Sequence, residues 1–281
     1  MIALGREDPR YPPRLRDVPR PPDPLWVAGD PAVLGLPAVA IVGTRRMSLY
    51  GERVAAEITR ALVAAGIVVV SGLAQGIDTA AHRTSLDSGG RSVAVLGEGI
   101  TSHAVAARGR RRILAARLQA TGALVSQYAP ELPPQGWMFA KRNEVIAALA
   151  SAVVIVEAPF GSGALITAAD AGRLGRPLYA VPGPLGARGS EGTNGLIANG
   201  LATALVDPSV LIARVGCSGA LPAAPARPDD PLLELLAGGP ADLDELARRI
   251  GGDRAAMRAR VVGLLLDGRI RETADGRYAR A

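Results

Sequence analysis

Two clusters of polar side chains offer the clearest chemistry in this sequence, and each could hold a phosphate. The clusters are Arg45 with Arg46, and Lys141 with Arg142 and Asn143. A guanidinium pair can make bidentate contacts to phosphate. Because cations are disfavoured near a helix N-terminus, the second cluster, which precedes the helix-compatible run 144–150, predicts a compensating negative charge. The alternatives for the arginine pair are a solvated surface position or ion pairs with nearby carboxylates. The alternative for the second cluster is that its polar residues only mark the start of a helix.

Glycine-containing turns provide a second signal for an anion site. The four turns read "VGTRRMSLYG", "VSGLAQGIDTAAHR", "PFGSGALITAADAG" and "GSEGTNGLIANG". Each joins an apolar run to a predicted helix, and the first places Gly43 and Thr44 just ahead of the arginine pair. In a parallel α/β sheet such turns gather at the carboxyl ends of the strands, where helix N-termini attract phosphate. One turn can use glycine for geometry alone, but four in one sheet predict a shared ligand pocket.

The elements that must position these turns are predicted by seven short apolar runs. They span 38–43, 66–72, 91–97, 122–128, 151–158, 176–183 and 201–207. Near-continuous apolar strands separated by alanine-rich helices are typical of a largely parallel sheet with helices on both faces. We therefore predict an α/β, Rossmann-like domain over residues 38–214. Residues 1–37, rich in proline and arginine, are predicted to be an irregular lead-in.

The C-terminal part of the sequence has a different pattern. Residues 215–230 form an Ala/Pro/Gly-rich segment, predicted to be a linker. Residues 231–281 then read as three short helices, the second capped by Asp242, and a hairpin that turns at Asp275-Gly276. This order predicts a small winged-helix domain.

Composition narrows the class of protein. The formal net charge of +6 is compatible with a polyanionic partner, and aromatic residues make up only 3%, so few rings are available for base stacking. The N-terminus has no apolar signal segment and no apolar run is long enough to cross a membrane, which predicts a soluble cytoplasmic protein with no membrane role. The single cysteine, Cys217, excludes an internal disulfide.

Metal, cofactor and acid–base chemistry find little support. His82, predicted in a helix, and His103, predicted in a loop, have no second histidine or cysteine at ligand spacing. No G-x-G-x-x-G opens the first βα unit and no G-x-x-x-x-G-K-[ST] occurs, so no cofactor is predicted. The carboxylates Asp78, Glu98 and Glu157 are scattered, without a pair at catalytic spacing. The run 108–112, "RGRRR", is either a solvated face or part of a track for a polyanion.

Four ordered segments resemble the DNA-processing protein A family (DprA, also called Smf). They are "IVGTRRMSLYG" at 41–51, "VVSGLAQGIDTAAH" at 69–82, the long stretch from "FAKRNE" to "AVPG" at 139–183, and "GTNGLIANGLA" at 192–202. The lead-in and the predicted winged helix also resemble parts of that family, so the likeness covers nearly the whole chain.

The resemblance implies a dimeric, non-enzymatic protein that binds single-stranded DNA. It further implies a role in loading the RecA recombinase on incoming DNA during natural transformation and homologous recombination. By motif, the resemblance places Arg45, Lys141, Arg142 and Asn143 on the wall of a positive DNA pocket. It places Ser71, Gly72, Gly76, Ser162, Gly163, Thr167 and Asn194 on its floor. Lys141, the one lysine among 32 basic residues, is the side chain we most expect to contact DNA.

The sequence also departs from the family pattern. Gln75 stands where a basic residue is common, Glu144 stands where a second arginine is common, and Gln127 replaces a strand-end glutamate. These changes predict fewer phosphate contacts, which the arginines of 108–112 could restore.

Two other functions compete with this interpretation. A Rossmann-like phosphoribohydrolase would carry P-G-G-x-G-T-x-x-E, but the comparable turn at 160–170, "FGSGALITAAD", lacks the paired glycines and the glutamate. A winged-helix regulator with a ligand-sensing α/β domain is the other alternative. Sequence-specific protection of duplex DNA would distinguish it from a single-strand binder.

Overall fold

A nine-stranded sheet lies at the centre of residues 1–216. The computed structural model describes residues 1–216, 230–251, 254–266, 269–273 and 276–280, so Cys217, most of the predicted linker and Asp275 lie outside the described residues. The strands are β1 (Ile2–Leu4), β2 (Leu25–Gly29), β3 (Ala38–Val42), β4 (Val68–Ser71), β5 (Ser92–Leu96), β6 (Ala123–Ser126), β7 (Ala152–Ile155), β8 (Leu178–Ala180) and β9 (Thr203–Ala204). Their order across the sheet is β1-β2-β6-β5-β4-β3-β7-β8-β9.

The predicted α/β, Rossmann-like fold is confirmed. Strands β3 to β9 each fall inside one of the seven predicted apolar runs, and every neighbouring pair among them is parallel. A strand buried on both faces needs apolar side chains at nearly every position, so these strands could be predicted from continuous apolar runs in the sequence.

Helices connect the strands. In residues 1–216 they are α1 (Leu49–Ala64), α2 (Ile77–Asp87), α3 (Ile100–Ala106), α4 (Gly109–Thr121), α5 (Gly136–Leu149), α6 (Gly163–Arg173), α7 (Glu191–Ala198) and α8 (Ser209–Gly216). Short 3-10 helices span Pro13–Asp17, Pro31–Gly35 and Arg188–Ser190. Among the described residues, no helix combines the length and the apolar character that a membrane span requires.

Alternate side chains of each strand pack against different helices. On β3, Ala40 and Val42 join the core formed with α5 and α6, whereas Val39 and Ile41 join the core formed with α1, α2 and α8. Further along the sheet, α4 packs over β5 and β6. The helices therefore cover both faces, and the loops after the parallel strands emerge at one edge of the sheet.

The expectation that residues 1–37 are irregular is wrong. Strand β2 pairs antiparallel with β6, and β1 pairs antiparallel with β2. Tyr11, between these strands, is fully buried and donates a hydrogen bond from its hydroxyl group to the carbonyl oxygen of Pro22 (2.8 Å). The segment extends the sheet and contributes to its core. Its strands are short and flanked by prolines, so they leave only a weak periodic pattern in the sequence.

The C-terminal residues fold in the predicted order. Helices α9 (Pro231–Ala237), α10 (Leu243–Ile250) and α11 (Arg254–Leu266) precede the antiparallel strands β10 (Ile270–Glu272) and β11 (Tyr278–Arg280). Asp242 caps α10 by accepting from the amide of Glu245 (2.7 Å), as predicted. The assignment of this unit as a winged helix, and the domain boundaries themselves, stay predictions.

Candidate functional site

The sheet has a switch point at β3, because the chain proceeds through β4, β5 and β6 on one side and through β7, β8 and β9 on the other. The loops after β3 and β7 therefore diverge and leave a crevice at the carboxyl ends of the strands. A cavity of about 470 Å³ lies there, and we call it the switch-point cavity. Its lining includes nine residues predicted from the sequence: Gly43, Thr44, Arg45, Arg46, Arg142, Asn143, Ser162, Gly163 and Thr167.

A second cavity of about 780 Å³, the α4 cavity, adjoins the first. The two cavities share Arg45, Ala74, Phe139 and Arg142 in their linings. The α4 cavity adds Gly72, Gln75, Arg110 and Arg111, together with Glu98. Two arginines of the run 108–112 thus lie on the wall of a cavity, at the N-terminal end of α4.

Arg45 and Arg46 are held by their backbone and exposed through their side chains. The amide of Thr44 donates to the carbonyl oxygen of Glu157 (2.7 Å), and the amide of Arg46 donates to the Thr44 hydroxyl oxygen (3.2 Å). Over the described ranges, neither arginine side chain forms a hydrogen bond or an ion pair with another residue. The loop after β3 therefore presents two unpaired cations to the switch-point cavity.

The buried carboxylate of Glu157 fixes this loop to the end of β7. It accepts hydrogen bonds from the amide of Ser48 (2.9 Å) and from the Ser48 hydroxyl group (2.6 Å), while the same hydroxyl oxygen caps α1 by accepting from Gly51 (3.0 Å). A Cβ on Gly51 would lie 2.0 Å from a Glu157 carboxylate oxygen, so a larger residue there would have to displace this carboxylate from Ser48. Glu157, one of the scattered carboxylates of the sequence, has a structural part in the site.

Arg142 is a buried cation between the two cavities. Its Nη1 donates to the carbonyl oxygens of Gly72 (2.5 Å) and Val95. Burial lowers the pKa of Arg142 to about 10, while the carboxylate of Asp78 favours the charged form. A guanidinium with a pKa of about 10 is still protonated at neutral pH, so Arg142 contributes positive charge to both cavities.

Asp78 shapes the loop that follows β4. Its Oδ2 accepts from the amides of Gly72 (3.1 Å) and Ala74 (3.4 Å). Leu73, between them, has a φ of +57°, a left-handed conformation that is rare for a residue with a large side chain. Burial raises the pKa of Asp78, and the nearby Arg142 opposes that rise. The carboxylate thus serves backbone geometry and charge balance on the wall of the switch-point cavity.

The N-terminus of α6 forms another wall of the switch-point cavity. The Ser162 hydroxyl oxygen accepts from the amide of Ala164 (3.3 Å), and Asn143 donates from its amide nitrogen to the carbonyl oxygen of Gly163 (3.1 Å). The positive end of the helix dipole at this position favours an anion. Asn143 therefore ties α5 to the helix end that borders the cavity.

Lys141 is absent from the lining of both cavities. Its Nζ pairs with Glu144 Oε2 at 2.9 Å. The expectation that Lys141, Arg142 and Asn143 form one cluster ahead of a helix is wrong, because α5 begins at Gly136 and contains all three. Consecutive helical residues point about 100° apart, so the cavity receives Arg142 and Asn143 while Lys141 points elsewhere.

Three further predicted residues support the site without lining either cavity. The fully buried Ser71 donates from its hydroxyl group to the carbonyl oxygen of Ile41 (2.6 Å). Gly76 has a φ of +79°, and a Cβ there would lie 2.2 Å from the carbonyl oxygen of Thr44. Asn194 exchanges two hydrogen bonds with the backbone of Gly183 after β8 (3.1 and 3.0 Å). These residues hold strands and loops together.

Sequence reasoning missed the apolar part of the switch-point cavity. Phe139, Phe160 and Ile166 line it, and Phe160 and Ile166 are exposed. The low aromatic content did not indicate this apolar lining, because composition does not show which residues lie close together in the fold. The available signal was Phe160 itself, an aromatic residue between proline and glycine in a predicted ligand loop.

The two histidines are buried. His103 lies in α3, not in a loop as expected, and its Nδ1 is 2.8 Å from Glu98 Oε1, which also lies 3.5 Å from Arg111. His82 Nδ1 lies 2.7 Å from the hydroxyl oxygen of Ser92. Burial, with a smaller contribution from Arg142, lowers the pKa of His82 to about 3, so this imidazole is neutral in the folded protein.

Comparison with known proteins gives a consistent result. The family model described as DNA recombination-mediator protein A matches residues 3–216. Protein Smf of Escherichia coli is 40% identical over 190 residues, which cover 68% of this chain and 50% of that protein. The putative DNA processing protein DprA of Mycobacterium tuberculosis is 38% identical over 282 residues, covering 94% of this chain and 70% of the relative. The chain spans about half the length of the Smf proteins of E. coli and Synechocystis.

Two solved structures share the fold. DprA from Streptococcus pneumoniae superposes with a TM-score of 0.70 and 32% identity, covering 75% of this chain and 73% of that one. DprA from Helicobacter pylori gives a TM-score of 0.66 and 26% identity, covering 75% and 94% respectively. The Helicobacter structure was described for its single-stranded DNA binding mode.

Proposed function

This chain belongs to the DNA recombination-mediator protein A family, and from that premise we propose that its two adjoining cavities bind single-stranded DNA. The observation that carries the proposal is the convergence of cations at the switch point. Arg45 and Arg46 are exposed and unpaired in the described part of the chain, Arg142 lies beneath them, and Arg110 and Arg111 extend the positive wall. Phosphate contacts from such a wall are sequence-independent and track a DNA backbone.

The same lining supports a binding protein over an enzyme. Asp78 and Glu98 are the carboxylates on the described walls of the two cavities. Both are buried; Asp78 accepts from backbone amides, and Glu98 contacts His103 and Arg111. Carboxylates committed in this way are poorly placed to take a proton from a substrate. We therefore propose binding without catalysis and without a cofactor.

The biological role in this proposal is recombination mediation in the cytoplasm. The protein would act as a homodimer that holds incoming single strands and loads the RecA recombinase on them, as the family resemblance implies. Strand invasion by RecA on single strands coated with single-strand-binding protein tests this role directly. The chain should increase the yield of joint molecules, and an unchanged yield would contradict loading. Light scattering coupled to size-exclusion chromatography tests the dimer.

DNA binding is tested by fluorescence anisotropy with a labelled oligothymidine at several salt concentrations. The Arg45→Ala, Arg46→Ala double variant should bind more weakly, and the slope of log K against log salt should become shallower by about 0.7 for each phosphate that the protein no longer neutralises. Arg91→Ala is the matched control, because Arg91 is exposed and lies outside both cavities. A double variant that binds like the parent protein would refute the site assignment.

A further inference from the structure

We propose that Phe160 is a stacking platform for an unpaired nucleobase, so that the switch-point cavity holds a base as well as phosphates. This inference rests on the proposed binding of single-stranded DNA and deepens it. The chain has two phenylalanines, and both line this one cavity. Phenylalanine rings usually contribute to a protein core, whereas Phe160 is 57% exposed at the mouth of a cavity.

Phe139 and Phe160 differ in how much of each ring is already packed against the protein. Phe139 is partly buried, and a Cβ on Gly97 would lie 2.6 Å from its ring, so this ring already packs against backbone. Phe160 lies at the tip of a turn in which the amide of Ser162 donates to the carbonyl oxygen of Pro159 (3.1 Å). Phe160 therefore has an accessible ring face to offer to a ligand.

The turn presents Phe160 on a constrained backbone. Gly161, the third residue of the turn, has a φ of +73°, a conformation that favours glycine. Proline fixes the φ angle of the first residue, and α6 begins directly after the turn with Ser162 as its cap. A constrained backbone lowers the entropy that a ligand must remove when it orders the contact.

The cavity has a cationic side and an apolar side. Arg45 and Arg46 stand on the loop after β3, while Phe160 stands after β7 and Ile166, 42% exposed, stands on α6. A nucleotide has the same division, with a charged phosphate at one end and a flat apolar base at the other. A phosphate held by the arginines would leave its base free to reach the apolar side, where stacking on an aromatic ring stabilises it whatever its sequence.

The test separates the base from the phosphate. Anisotropy would compare a labelled oligothymidine with a strand of equal length made of abasic tetrahydrofuran units, using the parent protein and Phe160→Leu. Leucine keeps apolar bulk but has no ring face. We expect Phe160→Leu to lose roughly 5- to 150-fold in affinity for oligothymidine, the range that stacking of one base implies. Affinity for the abasic strand, and the salt dependence on both strands, should not change.

Two further variants complete the design. Phe160→Trp should retain affinity, and its fluorescence should be quenched by oligothymidine but not by the abasic strand, against the background of Trp26 and Trp137. Leu185→Ala is the control for a generic loss of exposed apolar surface, because Leu185 is 95% exposed and lies outside both cavities. It should bind both strands like the parent protein.

Each outcome has one meaning. If Phe160→Leu binds oligothymidine as tightly as the parent, or weakens equally on both strands, base stacking at Phe160 is refuted. If the parent protein binds neither strand, the proposed DNA-binding function itself has failed. Selective weakening on the strand that carries bases, together with selective quenching, supports the platform.

Discussion

The guanidinium group of Arg142 lies directly against the backbone of Gly72, where its Nη1 donates a hydrogen bond of 2.5 Å to the glycine carbonyl oxygen. A Cβ added to Gly72 would lie 2.4 Å from the same nitrogen. Any side chain at Gly72 would therefore have to displace the buried cation.

Replacing Gly72 with alanine should destabilise the protein. The new methyl group must displace the Arg142 guanidinium from its hydrogen bonds to Gly72 and Val95, and overpacking of this kind costs about 1–3 kcal/mol. Urea denaturation measures the change in the free energy of unfolding. Gly172→Ala in α6 is the control, since its Cβ would meet nothing within 4 Å, and alanine in a helix should be neutral or stabilising by up to about 1 kcal/mol. Equal stability of the two variants would contradict the close approach.

Arg45→Ala should weaken binding of single-stranded DNA more than Lys141→Ala does. Arg45 lines both cavities, whereas Lys141 lines neither and is paired with Glu144. Anisotropy titrations with oligothymidine at low salt measure the ranking. A larger decrease in affinity for Lys141→Ala would restore the sequence-based expectation that the lone lysine is the main DNA contact.

Glu144→Gln should increase affinity for single-stranded DNA. The buried Glu144 carboxylate pairs with Lys141 (2.9 Å) and Arg173 (3.5 Å), and Arg173 also pairs with Asp170. Removing the Glu144 charge therefore releases Lys141 next to the site, while Arg173 keeps its pair with Asp170. The gain should be roughly twofold or more at low salt and should vanish at high salt, because the added attraction acts through solvent. Glu52→Gln, which breaks an ion pair with Arg83 away from both cavities, is the control. An equal gain in both variants would indicate a general charge effect only.

Acidification should lower the free energy of unfolding because His82 is buried as a neutral imidazole. The pKa of His82 falls from 6.5 to about 3 on folding. Between these two pH values the imidazole is protonated in the unfolded chain but neutral in the folded protein. The stability that the neutral imidazole contributes above pH 6.5 is therefore lost as the pH falls toward about 3. The free energy of unfolding of the parent protein should therefore decline over this window. His82→Asn can keep a hydrogen bond to Ser92 but cannot titrate, so its decline should be shallower. Asp78, whose raised pKa acts in the opposite direction, is present in both proteins. Identical slopes would show that His82 does not govern the acid response.

The sequence predicted the parallel strands and the loop after β3 because both follow from local rules. Val68–Ser71 and Ala152–Ile155 are continuous apolar segments, as strands buried on both faces must be. Arg45 and Arg46 follow such a strand directly, so their position at the carboxyl edge needed no tertiary information.

Strand β2, the register of α5 and the aromatic lining of the cavity depend on tertiary contacts that no local sequence pattern encodes. Strand β2 forms by pairing antiparallel with β6, and its five residues alone show too little periodicity to predict a strand. The register of α5 separated Lys141 from Arg142, and that register depends on a helix start at Gly136 without a capping side chain. Phe139 and Phe160 line one cavity because the assembled sheet brings α5 next to the loop after β7.

The loop after β3 is fixed from two directions. Glu157 holds Thr44 and Ser48 from the β7 side, and Gly76 packs against the Thr44 carbonyl oxygen, which accepts from the amide of Ile77 (3.3 Å) on the α2 side. The conformational entropy of this backbone is therefore lost when the chain folds, and an arriving strand has only the arginine side chains to order. Capture of a polyanion should then be a single kinetic phase, set by diffusion and long-range charge and slowed by salt, with no waiting step for a loop to close.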